Sequence, residues 1–154
     1  MKRSTATVLG LVAFGVISFQ PASGASGQAG GAWTTLFDGS SLDGFNVLGT
    51  ANWELADGVV QADSGSGFLV TKGSYADFEL TLEFWVDETA NSGVFIRCAD
   101  PTVVLDTNSY EANIYDTRAD QTYRTGGIVH IAAPASVINS GGHWNSYRIR
   151  AQGS

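Results

Sequence analysis

The stretch from Phe78 to Trp85 constrains this chain more than any other. Phe78, Leu80, Leu82 and Phe84 alternate with Glu79, Thr81, Glu83 and Trp85. A period of two gives a strand one apolar face, whereas on a helix it would scatter the same residues around the axis. The pattern returns in Val94, Ile96 and Cys98 against Gly93, Phe95 and Arg97. It returns again in Tyr110, Ala112 and Ile114 against Glu111, Asn113 and Tyr115, and in Tyr147, Ile149 and Ala151 against Arg148, Arg150 and Gln152. Turn signals separate the runs: Asp38-Gly39, Asp43-Gly44, Asp57-Gly58, Asn91-Ser92-Gly93 and Ser140-Gly141-Gly142. Trp53 to Gln61 reads as a hairpin turning at Asp57-Gly58. No window carries a helical stripe of useful length and no internal repeat is present. The pattern predicts an all-β sandwich or barrel.

At 154 residues the chain is about one domain in size. Its 44% hydrophobic and 15% charged residues exclude a disordered composition. Eight basic against fifteen acidic residues give a formal charge of -7, which argues against a nucleic-acid stripe or a polybasic membrane surface. The single cysteine, Cys98, excludes an intrachain disulfide framework and a Cys-rich zinc site.

The first residues read as an export leader. Lys2 and Arg3 precede the apolar run from Val8 to Ile17, and Ser23 and Ala25 fit the positions that a signal peptidase reads. The expected division is a signal peptide over 1–25, a small-residue linker over 26–32 and a folded domain over 33–154. The apolar run is shorter than the roughly 18 residues that read as a membrane span. The expected location is therefore periplasmic or extracellular, with no transmembrane span in the mature chain.

Glu83, Arg97, Glu111 and Asn113 each lie opposite the most apolar residues of their own runs. Neighbouring strands would merge them into one acidic surface containing a guanidinium. The plainer alternative is a solvated sheet face whose cross-strand ion pair is worth about 0.2–1 kcal/mol.

Seven segments then occur in order: TLFDGSSLDGF, WELADGVV, LVTKGSYADFELTLEF, NSGVFIR, SYEANIYD, TGGIVHIAAP and HWNSYRIR. Together, from about Trp33 to Arg150, they resemble the 3-keto-disaccharide hydrolase domain family. The resemblance implies a two-sheet antiparallel jelly-roll sandwich of the concanavalin A-like lectin and glucanase type. It also implies an exported protein acting on oxidised mono- or disaccharide glycosides. A carbonyl at sugar C3 acidifies the C2 proton; a base removes it, and the aglycone at C1 leaves by β-elimination, with or without later hydration. Such chemistry needs a base, an acid for the leaving oxygen and donors for the enolate oxygen.

On that resemblance Glu111, in the family's Tyr-Glu strand, is the expected base or acid, Glu83 the second carboxylate and Arg97 the enolate-stabilising cation. Asn113, Asn91, Tyr115, His130 and Trp144 are the expected sugar contacts, although Asn91 also suits a turn, His130 a structural role and Trp144 the core. Asp116, at the end of the Glu111 run, suits a loop cap. The chain departs from the family at Val129-His130, where a tyrosine and a glycine are usual, and at Asn113, where glutamine is common. It also stops at Ser154, where family members continue through a hairpin and a closing strand, so a chain lacking its last strands is expected.

Two other functions compete. A carbohydrate-binding module of the same fold could use Trp85, Tyr115 and Trp144 without catalysis. A classical glycoside hydrolase would need correctly spaced carboxylates, and Glu111 to Asp116 does not match the E-x-D-x-x-E strand of the glucanases. No phosphate loop, nucleophile elbow or zinc constellation is present. No cofactor is certain from the sequence, and a divalent site built from carboxylates and one histidine stays open.

Overall fold

The computed structural model describes residues 12–21 and 32–153. Ten strands follow in chain order: β1 (Val12–Pro21), β2 (Thr34–Phe37), β3 (Phe45–Gly49), β4 (Glu54–Ala56), β5 (Val59–Ala62), β6 (Gly67–Thr71), β7 (Phe78–Val86), β8 (Ser92–Ile96), β9 (Tyr110–Ile114) and β10 (Trp144–Ala151). Among the described residues one 3-10 turn is formed, over Gln121–Tyr123. Among the described residues no helix is long and apolar enough to cross a membrane.

One layer is a sheet in the order β10-β7-β1-β5-β4, with β2 pairing β1 beside β5. The other consists of two antiparallel ladders, β3–β6 and β8–β9. All ladders between strands are antiparallel, so the chain has the all-β architecture of a jelly-roll sandwich. The alternating runs become β7, β8, β9 and β10. The Asp57-Gly58 turn joins β4 to β5 with both residues at positive φ, 52° and 80°, the left-handed pair a tight hairpin requires.

Alternation also fixes which face is buried. Phe78, Leu82, Phe84 and Val86 of β7 are buried while Glu83 is exposed. Leu82, Phe84 and Val86 pack with Ala90 and Ile114 in one core cluster, and Val94 and Tyr147 close it. Phe37, Phe45 and Val60 form a second cluster, flanked by Trp53 and Leu69. Each fully buried side chain of this size contributes roughly 1.5–3 kcal/mol. Phe14 and Ile17 of β1 pack against both clusters and join them.

Part of the run expected to lie outside the fold is therefore inside it. Val12–Pro21 forms the strand between β7 and the β5–β2 edge. The segment contains no charged residue, and its register shifts between Phe14 and Ile17. That irregularity lets two apolar residues three apart both reach the core, as a bulge does. The basic start, the proposed cleavage residues Ser23 and Ala25 and the linker up to residue 31 lie outside the described residues.

The two layers are pinned by one phenol. Tyr147 of β10 donates its hydroxyl proton to the Asn113 carbonyl of β9 at 2.6 Å and accepts the Gly126 N–H at 3.0 Å. Its ring meets Phe84 edge-on, with centroids 4.8 Å apart. Burial is the main reason its pKa is pushed up to about 12. The Gly126 N–H also donates to the Asn113 carbonyl at 3.0 Å. Tyr147→Phe therefore removes one shared partner from each without leaving either unpaired, and urea denaturation is expected to show a loss of about 0.5–1.5 kcal/mol.

Candidate active site

Glu111 owes its position to the pairing of β8 with β9. It lies opposite Phe95, and Gly93 opposite Asn113. These four share the face turned away from Val94, Ala112 and Ile114. Gly93 leaves the room that the carboxylate occupies: a Cβ there would lie 2.7 Å from Glu111 Oε1 and 3.0 Å from its Cγ.

The segment after β9 folds back along the same strand. The N–H of Asn113 donates to the Gly127 carbonyl at 3.0 Å, and the N–H of Val129 donates to the Glu111 carbonyl at 3.0 Å. His130, next in sequence, is thereby carried beside Glu111. Its φ of 63° is a left-handed conformation that side chains other than glycine rarely adopt. His130 Nε2 lies 3.0 Å from Asp106 Oδ2, and the imidazole meets Tyr123 edge-on at 5.9 Å. Asp106 thus fixes the orientation of an exposed ring.

Burial raises the Glu111 pKa above its ordinary value. The positive charge of Arg118 opposes that shift, Asp106 adds to it, and His130 opposes it weakly. The arrangement is a half-buried carboxylate that feels the charges of a guanidinium, an imidazole and a second carboxylate. Arg118 Nε is buried without a hydrogen-bond partner. Chemically this group can accept a proton at Glu111, stabilise an anion at Arg118 and exchange a proton at His130.

Asp116 holds the base of this segment. Its carboxylate accepts from the Ser140 N–H at 2.6 Å, the Gly141 N–H at 3.0 Å, the Ser140 hydroxyl at 3.0 Å and the Thr125 hydroxyl. Burial opposes ionisation most strongly, but the hydrogen bonds from Thr125, Gly141 and Ser140 together outweigh it, and the pKa is lowered. This is the loop-capping role expected of it.

The other expected site residues divide sharply. His130 is brought to Glu111. Tyr115 lies just beyond β9 and gives its N–H to the Thr125 hydroxyl at 2.8 Å. Asn113 is fully buried, so it anchors the loop instead of presenting an amide to sugar: its Nδ2 donates to the Tyr123 carbonyl, and its Oδ1 has no partner. Asn91 is exposed in the turn before β8 and, with Gly93, Arg97, Trp53 and Glu111, lines a cleft of about 720 Å³.

Arg97 shares that cleft, but its guanidinium is turned to Asp77 at 3.0 Å. Its φ of 53° ends the regular strand and breaks the alternation that would have aimed it at Glu111. Glu83 and Trp144 lie elsewhere. They project from the outer face of the large sheet, where a Cβ added at Gly15 would be 3.6 Å from both Glu83 Oε2 and the Trp144 ring. Period two tells which strand face a residue occupies and not which layer the strand joins.

Arg118, Asp106 and Tyr123 were missed because they lie outside the strands, the first two in loops and Tyr123 in the 3-10 turn. Arg118 left one trace, as the only basic residue between Arg97 and Arg124. Among the described residues no group of three or more His, Cys, Asp or Glu side chains is placed to hold a metal ion.

An all-β sandwich with a half-buried carboxylate in the wall of a cleft, and an arginine and an oriented imidazole acting on it from outside that wall, offers acid–base chemistry at the cleft. The family comparison makes this specific: the profile described as a 3-keto-alpha-glucoside-1,2-lyase-like domain matches residues 32–154, and the chain belongs to that family. No curated protein and no solved structure matches the chain.

Two outcomes test the geometry. Because burial raises the folded-state pKa of Glu111, its stability contribution is full below the unfolded value, about 4.3, and is lost as pH rises through the folded value. Glu111→Gln is therefore expected to melt higher than the native chain at pH 7, with the gap closing towards pH 4. Gly93→Ala is expected to displace the half-buried Glu111 side chain, because the added Cβ would lie 2.7 Å from its Oε1, 3.0 Å from its Cγ and 3.3 Å from the Ala112 carbonyl, and to cost about 1–3 kcal/mol in urea denaturation.

Proposed function

We propose that this protein is an exported enzyme that cleaves 3-keto-glycosides by β-elimination across C1 and C2. The observation that carries the reading is Glu111, a half-buried carboxylate of raised pKa in the wall of the cleft, on which Arg118 and His130 act by charge, in a chain of the lyase-like family. Glu111 removes the C2 proton, and the electron pair spreads into the C3 carbonyl as an enolate. Arg118 stabilises that charge. As the enolate collapses, the C1–oxygen bond breaks and a C1–C2 double bond forms. His130, held by Asp106, gives its proton to the departing oxygen. It takes the role that the sequence had offered to Glu83. Water added later to the unsaturated sugar gives net hydrolysis.

Burial of Glu111 suits it to the task, since a base of raised pKa takes a proton more strongly than an ordinary glutamate. An acidic chain with a basic-then-apolar start supports a periplasmic or extracellular location, where glycosides oxidised at C3 would be met.

The test is mass spectrometry of a 3-keto-glucoside incubated with the purified protein, beside the unoxidised glucoside. Release of aglycone from the keto sugar alone, with a sugar product one water lighter than the free keto sugar, is the expected result. The acid limb of kcat/KM should have its midpoint above the roughly 4.3 of a free glutamate. Glu111→Gln should lower kcat by about 10²–10⁴-fold with binding largely kept. Binding of the keto sugar without cleavage by the native protein would instead make it a carbohydrate-binding module.

A further inference from the structure

The apolar run near the start of the chain is claimed by two readings at once, as an export leader and as the central strand β1. The structure shows what holds it. β7 pairs with β1 from Val12↔Val86 to Pro21↔Phe78. On the other side β5 takes Val12 to Phe14, and β2 takes Ile17 to Phe19. These flanking strands do not pair across β1 with one another. Each is secured independently: β7 by β10, β5 by β4, and all three by the core clusters. Without β1 they border a slot about two strand spacings wide, roughly 9.6 Å, with unpaired backbone groups on both sides.

The slot is also selective for side chains. Phe14 and Ile17 enter the core together because of the register shift between them. Phe19 packs between Tyr75 at 4.3 Å and Phe78 at 5.9 Å. Val16, at the shift, stays 50% exposed. Backbone pairing along both edges with pockets for particular side chains is the physics of strand addition.

We propose that the slot between β7 and the β5–β2 edge is a strand-acceptor site, and that Val12–Pro21 is its exchangeable occupant. The segment is held by backbone ladders and side-chain pockets that a free peptide of the same sequence can also occupy, so such a peptide can replace it. While it is seated, its apolar residues are withheld from a membrane or an export machinery. Withdrawing it opens a docking site for an uncharged extended segment with bulky apolar residues spaced as Phe14, Ile17 and Phe19 are.

The test uses the full chain with a specific protease site introduced within residues 22–31 and cut after folding. The expected result is that the released segment co-elutes with the body of the protein in native buffer. A labelled peptide of residues 11–22 should then exchange into the complex. Peptide carrying Ile17→Asp should compete at least tenfold less well than the native peptide, and peptide carrying Val16→Asp nearly as well. Elution of the cut segment apart from the body in native buffer overturns the proposal, whether or not the body stays folded. Retention with no exchange overturns it too, since that marks a strand locked into the fold, and so does equal competition by the two aspartate peptides.

Discussion

The Tyr147 hydroxyl is the point at which site and fold meet. It joins β10 of the large sheet to the Asn113 carbonyl of β9 and accepts from Gly126 in the loop that returns along β9. Two residues from that carbonyl stands Glu111, and four residues from Gly126 stands His130. The phenol therefore ties the two layers together, while the backbone bonds of Asn113 with Gly127 and Gly126, and of Val129 with Glu111, set the height of the loop above the carboxylate. Asp116 completes the arrangement from the other end by gathering Thr125, Ser140 and Gly141. Both are interior polar groups with their partners supplied, the condition under which such groups rigidify a site.

The chemistry follows from unequal environments. Burial favours the protonated form of Glu111, while Arg118 and His130 favour the anion. Asp116 is pulled the opposite way by four hydrogen bonds that outweigh its burial. Two carboxylates five residues apart thus divide the labour, one able to trade a proton and the other fixed as an anion that holds structure. Gly93 belongs to the same design, because a side chain there would take the space that Glu111 uses.

Much of the fold was legible because period two is a direct consequence of the pleat. Phe78 to Val86, Tyr110 to Ile114 and the turn at Asp57-Gly58 each announced their structure locally. Glu111 was legible for the same reason, together with the resemblance of its strand. What failed was everything needing a third dimension. Glu83 and Glu111 alternate in the same way but belong to different layers. Arg97 follows an alternating run, but a positive φ turns it to Asp77. The cation that acts on Glu111 is Arg118, from a loop whose residues carry no period. The apolar run at 12–21 reads locally as a leader, and its pairing with β7 on one side and with β5 and β2 on the other is a further property that no local signal announced.

The central claim is that Glu111 removes the proton from C2 of an oxidised sugar. The most direct measurement compares aglycone release from a 3-keto-glucoside carrying hydrogen at C2 with release from the same sugar carrying deuterium there. The account predicts a several-fold slower release from the deuterated sugar, and no deuterium retained at C2 in the unsaturated product. Equal rates with deuterium retained at C2 would contradict it, because the glycosidic bond would then be breaking without proton abstraction.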